Sequence, residues 1–247
     1  MQRESFNLIL KSATMVTPTV LHLAFVLENE MPFEFTPGQF VTFHWEEETG
    51  KLQRSYSIAT IPGETNTVEI AVSPFEGGAG TRLLFGLKPG ESIQTTGPFG
   101  RLTLREEQPS RYILVATGTG VTPYRSMLPE LAERMANTAL KTIVLLGVQS
   151  REDLLYGDDF LRFAEKHPGF EFYAYYSRRL PESLAAHERK GYVQSAFTDL
   201  NVTPESDIVY LCGNPNMIDD AFAKLREIGF ETAHVRREKY ISPKSRS

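Results

Sequence analysis

The stretch Arg111-Tyr112-Ile113-Leu114-Val115-Ala116-Thr117-Gly118-Thr119-Gly120-Val121-Thr122-Pro123 decides the fold class. After the arginine comes an unbroken apolar run, the pattern of a strand buried on both faces. The run opens directly onto Gly118 and Gly120, which permit a tight turn and a close approach of backbone. Thr122 is placed to cap the next helix, and Pro123 is preset for its first turn. A helix N-terminus at such a turn suits a phosphate group. The pattern begins as Gly-x-Gly-x-x but ends in Pro, so it departs from the usual dinucleotide fingerprint. Taken alone, it reads equally as a plain strand-to-helix turn.

Downstream of this stretch, strand and helix patterns alternate. Strands are predicted over 111–116, 142–147, 171–176, 207–211 and 232–235, with helices over 122–135, 153–167 and 215–228. Pro129 predicts a kink or break in the first helix. This rhythm means a parallel α/β sheet. Upstream, short β-rich runs dominate, at 6–10, 21–27, 39–45, 54–59, 68–72 and 92–96, with a short helix over 81–87. Turn signals such as Thr36-Pro37-Gly38 and Lys88-Pro89-Gly90 separate them. Many short strands at this spacing read as an antiparallel barrel or sandwich. The polar segment 106–110, which contains Pro109, is the expected linker, so the halves are 1–105 and 106–247. A polar tail covers 242–247.

Composition narrows the function classes. A chain of 247 residues with ordinary apolar and charged content can bury a core in each half. Its net charge of -5 argues against nonspecific nucleic-acid binding. Cys212 is the only cysteine, so these residues form no internal disulfide and ligate no iron–sulfur cluster. His22, His44, His167, His187 and His234 are scattered without metal-ligand spacing, so no metal site is expected. No apolar run is long enough to span a membrane and no signal-peptide core is present, so the cytoplasm is the expected compartment; a monomer is expected as well.

Several segments carry candidate chemistry. The strand Asp207–Leu211 runs into Cys212-Gly213-Asn214-Pro215, where Asn214 can cap a helix and Cys212 lies at the strand's carboxyl end, the edge where ligands collect in open α/β sheets. A small buried cysteine is the alternative reading. The strand 171–176 ends in Ser177-Arg178-Arg179, with Arg189, Lys190 and Tyr192 a loop later. A hydroxyl with guanidinium groups at a strand end suits a phosphate monoester, and hence the 2′-phosphate of NADP. In the first half, Gln53-Arg54-Ser55-Tyr56-Ser57 alternates, with Arg54 and Tyr56 on one face and Ser55 and Ser57 on the other. Arg54 can neutralise a diphosphate and Tyr56 can stack on a flat ring. Ala71-Val72-Ser73 leads into Gly77-Gly78-Ala79-Gly80-Thr81, a flexible loop and helix start that forms an anion cradle. From spacing alone, an ordinary barrel strand and loop fit these two segments as well.

Together these residues resemble the ferredoxin–NADP reductase superfamily, and within it the bacterial ferredoxin or flavodoxin reductases. The Arg-x-Tyr-Ser flavin signature is Arg54-Ser55-Tyr56-Ser57, and Gly-x-x-Ser/Thr-x-x-Leu is Gly78 to Leu84. The nucleotide motif is Gly118 to Pro123, Cys-Gly-Asn-Pro is Cys212 to Pro215, and Glu-x-Tyr is Glu238-Lys239-Tyr240.

The resemblance implies a six-stranded antiparallel FAD barrel followed by a parallel α/β NADP domain. It implies that Arg54 and Thr81 hold the FAD diphosphate, Tyr56 stacks on the flavin, and Ser57 approaches its N5. Ser55, Ala71, Val72, Ser73, Ala79 and Gly80 would line the cofactor, with Thr119 where flavin and nicotinamide meet. Ser177, Arg178, Lys190 and Tyr192 would take the 2′-phosphate, with Gln149 and Arg151 nearby. Cys212 would border the hydride-transfer position, with Glu238 as a polar partner and Tyr240 and Ile241 at the chain end. Ile241 is aliphatic where some bacterial relatives place an aromatic.

The implied activity passes electrons between NADPH and ferredoxin or flavodoxin, as hydride to the flavin and then single electrons. Two other readings stay open: an NAD(P)H:flavin reductase or oxygenase reductase component, and a non-catalytic FAD-binding electron-transfer subunit.

Overall fold

The computed structural model describes residues 5–48, 50–107 and 109–241. The tail 242–247 and one position of the 106–110 segment lie outside them. Two compact units emerge. One holds the chain up to Leu104 together with Thr122–Met127, and the other holds Arg105–Val121 and Leu128–Ile241.

The first unit is an antiparallel barrel. Its elements are β1 (Phe6–Met15), β2 (Leu21–Leu27), β3 (Phe40–Glu47), β4 (Gly50–Ser57), β5 (Val68–Val72), α1 (Ala79–Gly86) and β6 (Ser92–Phe99). The strand order is β4-β3-β6-β1-β2-β5, and every pairing is antiparallel. A bridge between Ile58 and Ile70 joins the two edge strands and closes the sheet on itself. Closure removes the exposed edges that a six-stranded sheet otherwise presents. The interior is filled by Leu8, Leu10, Leu23, Phe25, Val41, Phe43, Ile58 and Ile70, with Leu84 of α1 covering one end. Alternation set which residues turned inward, and the strands run longer than the apolar runs because pairing continues through polar positions such as Ser12 and Thr14.

Helix α1 starts at Ala79, two residues ahead of the predicted 81–87, because Gly78 takes the extended N-cap conformation (φ -71°, ψ 126°). Arg125 sits on the segment that packs with the barrel. Its Nη1 donates to the Ala59 carbonyl at 2.7 Å and to the Glu69 carboxylate at 2.7 Å. Ser126 Oγ accepts from the Gly38 N–H at 3.1 Å.

The second unit is a parallel sheet. Its strands are β7 (Arg111–Thr117), β8 (Lys141–Val148), β9 (Phe170–Tyr176), β10 (Glu188–Lys190), β11 (Asp207–Gly213) and β12 (Val235–Lys239). In chain order the helices are α2 (Thr122–Ser126), which packs with the barrel, then α3 (Leu128–Asn137), α4 (Gly157–Lys166), α5 (Ala196–Asp199) and α6 (Pro215–Ile228). The strand order is β10-β9-β8-β7-β11-β12, all parallel. Successive strands run outward from β7 in one direction and then restart beside it at β11. The switch point therefore lies between β7 and β11, where doubly wound sheets place their ligands. Residues Ile113, Val115, Val209 and Leu211 pack against Ile218, Ala221 and Leu225 of α6 on one face. Every residue of β11 is buried, as expected of a central parallel strand.

Three local expectations shift, and one strand was not foreseen. The helix predicted over 122–135 does break, as Pro129 predicts, but at Met127, so that Pro129 falls in the first turn of α3, where its missing N–H costs little. Thr122 caps nothing: it lies inside α2, 2% exposed, and its hydroxyl has no hydrogen-bond partner. The strand expected over 232–235 runs over Val235–Lys239, after a 3-10 turn at Thr232–His234. Pairing of Val209 with Val235 through Gly213 with Lys239 overrides the poor strand propensity of that polar stretch. Strand β10 is three residues long and was too short to show a period.

Candidate functional site

In the barrel, one constellation converges on the first turn of α1. Arg54 and Tyr56 of β4 lie against Gly80: a Cβ there would meet Tyr56 Oη at 2.6 Å and Arg54 Cγ at 3.3 Å. A glycine is needed for that approach. The amides of Ala79, Gly80 and Thr81 have no acceptor among the described residues, and Gly78 supplies no side-chain cap. No acidic residue stands in that turn. The turn thus presents free N–H groups and a partial positive charge. Thr81 Oγ1 accepts from the Phe75 N–H at 2.8 Å, which leaves its own proton to donate.

Arg54 donates to the Gln53 carbonyl at 2.6 Å and has no carboxylate partner among the described residues. The Tyr56 ring lies tilted against Phe43, 5.5 Å between centroids, and burial, opposed by Arg54, pushes its hydroxyl up to about 12, so it stays protonated. Ser55 pairs its hydroxyl with Thr42 at 2.9 Å, away from this turn, while Ser57 closes β4 at 6% exposure. Ala71 and Val72 are buried in β5 and Ser73 is exposed beyond it. An unpaired guanidinium, free helix amides and a hydroxyl fit the diphosphate of FAD, with Tyr56 as a ring platform beside them.

In the α/β unit, a second constellation forms at the switch point. Gly118–Val121 is a 3-10 turn at the end of β7. A Cβ on Gly120 would fall on the Cys212 carbonyl oxygen, 2.6 Å from its carbon and 2.7 Å from Gly213 Cα. The two strand ends therefore touch backbone to backbone. Thr117 Oγ1 accepts from the Asn214 N–H at 3.0 Å, and Asn214 Oδ1 caps α6 by accepting from the N–H groups of Asn216 and Met217. Glu238 pairs with Cys212 across the β11–β12 register, and the Tyr240 N–H donates to the Gly213 carbonyl at 2.9 Å. Thr119, Cys212, Glu238 and Tyr240 are thereby gathered at one edge of the sheet. Cys212 is fully buried. Burial first, and the Glu238 carboxylate second, push its thiol well above the ordinary range, while Tyr240 hydrogen-bonds to it and lowers it slightly. Burial and the neighbouring carboxylate thus favour the protonated thiol over the thiolate.

The third group sits at the carboxyl ends of β8, β9 and β10. The Gln149 carbonyl accepts from the N–H groups of Arg178 and Arg179, and Ser177 Oγ donates to the Val148 carbonyl at 3.1 Å. The cations here divide sharply. Arg151 forms a bidentate pair with Glu188, and Arg189 lies 4.7 Å over the Tyr173 ring. Arg179 donates to Ser150 Oγ at 3.2 Å, with Glu152 and Asp153 at 4.0 and 3.9 Å. Arg178 and Lys190 are exposed and have no carboxylate partner among the described residues. Tyr192 is 69% exposed beside them, and Ile241 is 74% exposed at the chain end.

Glu188 is a pH probe of this region. Its hydrogen bonds from Arg151 first, then one from Tyr176, outweigh burial and hold its carboxyl at about 2, down from 4.5. A depressed folded value means that its contribution is complete above 4.5 and is lost as pH falls through about 2. Thermal melts at pH 5 and pH 3 should show this loss in the natural chain, and Glu188→Gln should show a smaller difference between the two. Equal acid sensitivity of both proteins would remove Glu188 as its source.

Residues 7–104 match the oxidoreductase FAD-binding domain family, and residues 114–222 match the oxidoreductase NAD-binding domain family. The chain is 32% identical over 249 aligned positions to ferredoxin–NADP reductase B of Sorangium cellulosum (strain So ce56), covering 97% of this chain and 99% of that protein. It is 28% identical to the reductase component DmpP of phenol 2-monooxygenase from Pseudomonas sp. (strain CF600), over 91% of this chain and 62% of that protein. A ferredoxin NADP+ reductase from Neisseria gonorrhoeae, solved with bound FAD and NADP, shares the fold with a TM-score of 0.81 at 21% identity, covering 96% of this chain and 99% of that one.

The chain belongs to the ferredoxin–NADP reductase superfamily. It is an oxidoreductase that binds FAD and a nicotinamide dinucleotide. No helix among the described residues is long and apolar enough to cross a membrane.

Proposed function

We propose that the protein passes electrons between NADPH and a small carrier protein, ferredoxin or flavodoxin. The observation that carries the choice of NADPH is the division of cations beside β9. Arg151, Arg179 and Arg189 are engaged within the protein, whereas Arg178 and Lys190 are left exposed on the sheet edge that carries the nucleotide turn. Two free cations next to the Ser177 hydroxyl suit a 2′-phosphate.

Bound FAD supplies both two-electron exchange with nicotinamide and one-electron exchange with a carrier. The chain's own residues bind and orient. Arg54, Thr81 and the α1 amides hold the diphosphate, Tyr56 supports the flavin ring, and Ser57 offers it a polar contact. The close-packed backbone of Gly120 and Cys212 leaves room for the nicotinamide at the strand ends. The Cys212 thiol borders it, and Glu238 is the nearby group that can carry a proton. Within these 247 residues the single buried cysteine offers no cluster ligands, so electrons leave to another redox centre. The near full-length likeness to the Sorangium protein supports a ferredoxin in that place.

Of the exposed cations near both halves of the chain, Arg82 pairs with Glu47, Lys239 pairs with Asp219, and Arg237 lies over Phe222. Lys88 and Arg101, both in the barrel unit, have no ion pair among the described residues and are the better docking candidates for an acidic carrier.

Reduction of ferredoxin, flavodoxin and ferricyanide with NADPH and with NADH tests this reading. Arg178→Ala should raise KM for NADPH about tenfold, as expected for one charge-assisted hydrogen bond, and leave KM for NADH unchanged. A natural chain that prefers NADH would overturn the NADPH assignment. The likeness to a monooxygenase reductase component supports a second reading, in which the acceptor is an oxygenase or free flavin. Turnover with free FMN exceeding that with either carrier protein would favour it.

A further inference from the structure

We propose that Glu188 is a specificity-determining residue for the nicotinamide nucleotide: by holding the Arg151 guanidinium, it withholds one positive charge from the phosphate-binding edge of the sheet and so limits how strongly a 2′-phosphate is favoured. The proposal rests on the reading of that edge as the 2′-phosphate site. Of the four acids in segments 149–156 and 177–192, Glu188 alone is buried, its side chain 3% exposed. A carboxylate is costly to bury unless its oxygens are filled. Here they are. Oε1 accepts from Arg151 Nε and from the Tyr176 hydroxyl, each at 2.7 Å. Oε2 accepts from Arg151 Nη2 and from the Ala185 N–H, the latter at 2.8 Å. Arg151 Nη2 also donates to the Ser183 carbonyl at 3.0 Å. The guanidinium is thus turned toward its own loop, although the Arg151 side chain is 51% exposed. A cation this open to solvent is available to an anion once its partner is removed.

The pair sits where its charges count. β8, β9 and β10 are neighbours, with Val148 opposite Tyr176 and Tyr176 opposite Lys190. Arg151 lies just past the end of β8, Arg178 just past the end of β9, and Lys190 ends β10. The Arg178 N–H donates to the Gln149 carbonyl at 3.2 Å, so the segment that carries Arg178 touches the one that carries Arg151. Strands about 4.8 Å apart put the ends of all three within roughly one Debye length, about 10 Å at 0.1 M salt. With its carboxyl held at about 2, chiefly by Arg151, Glu188 is ionised at neutral pH, and the pair adds no net charge beside Arg178 and Lys190. Replacing Glu188 by its neutral amide keeps the shape, frees the guanidinium and adds one positive charge to this edge. Replacing Arg151 leaves the carboxylate without its cation and adds one negative charge. The two changes act with opposite sign on a ligand that carries a 2′-phosphate and barely touch one that lacks it.

The test titrates the whole FAD-loaded chain calorimetrically with 2′,5′-ADP and with 5′-AMP, which lacks the 2′-phosphate. Glu188→Gln should tighten 2′,5′-ADP about three- to fivefold, the scale of one exposed charge interaction, and Arg151→Gln should weaken it by about as much. Each should leave 5′-AMP within about twofold, and the differences should shrink in high salt. The double variant should return 2′,5′-ADP to near the natural affinity. Glu188→Gln that weakened both ligands alike would overturn the proposal and leave Glu188 as a loop clamp alone. A double variant as weak as Arg151→Gln would overturn it too, because Arg151 would then bind the phosphate in spite of Glu188. Should Glu188→Gln not fold, Arg151→Gln decides, since it keeps the acid bonded to Tyr176 and Ala185: unchanged 2′,5′-ADP affinity there overturns the proposal. A natural chain that bound 5′-AMP as tightly as 2′,5′-ADP would overturn the NADPH reading, while opposite shifts in the two single variants would still uphold the charge role of Glu188.

Discussion

Gly120→Ala should lose nicotinamide-nucleotide binding and about 2–3 kcal/mol of stability, the scale of overpacking in a tight interior. The added Cβ would fall on the Cys212 carbonyl, 2.7 Å from Gly213 Cα, and both neighbours are backbone in buried strand. Backbone there cannot give way as a side-chain tip can. β7 and β11 are paired from Asp207–Arg111 to Cys212–Ala116, so the strain is relieved only by lifting the Gly118–Val121 turn away from the strand ends. That displacement moves the amides and the Cys212 edge that a nucleotide would meet, and a loss of about 1.4 kcal/mol of contact is already tenfold in Kd.

Gly118→Ala is the control. Gly118 has φ +52° and nothing within 4 Å of an added Cβ, so alanine there carries only the left-handed backbone penalty of about 1 kcal/mol. Urea unfolding and nucleotide titration of both variants separate the effects. If Gly120→Ala were as stable and bound as tightly as Gly118→Ala, the close approach of the two strand ends would not be what the turn requires.

Arg54→Ala should yield protein that folds but holds FAD weakly, with Kd raised roughly 10- to 100-fold, as expected when a charged hydrogen-bonding partner is removed. The guanidinium has no internal carboxylate among the described residues, so its removal strands no buried acid. The barrel core of Leu8, Phe25, Val41, Phe43 and Ile70 lies elsewhere, and the apoprotein should unfold near the natural apoprotein's midpoint. Arg54→Lys should recover part of the affinity, since it restores the charge without the forked donors. Flavin content after purification and fluorescence titration provide the readouts. Full FAD occupancy in dilute Arg54→Ala protein would take Arg54 out of the diphosphate site.

Much of this was legible in the chain because it is encoded locally. The strands Leu21–Leu27 and Val68–Val72 and the helix Pro215–Ile228 fall where alternation, turn signals and an Asn-Pro start put them. In each case a short-range rule and the tertiary fold demand the same thing. Thr122 shows the opposite case. Its spacing to Pro123 suits a cap, but the 3-10 turn ahead of it carries the chain into helix early and buries its hydroxyl. Helix 153–167 starts late, at Gly157, because Tyr156 takes a left-handed conformation with φ 58° that no local pattern announced. Strand β12 depends on register with β11, a long-range pairing invisible in Val-Arg-Arg-Glu-Lys.

The sequence by itself determined the two-part architecture, the glycine turns and the residue types offered to FAD and to a nucleotide, because periodicity and backbone freedom are properties of neighbouring residues. The tertiary structure alone decided which of those residues stand free. Arg151, Arg179 and Arg178 look alike in the chain, yet Glu188 takes the first, Ser150 and two nearby acids hold the second, and the third is left exposed. Cys212 is buried and neutral because β7 and β12 flank its strand. Partners far apart in sequence set charge and access at these atoms, and only folding brings those partners within reach.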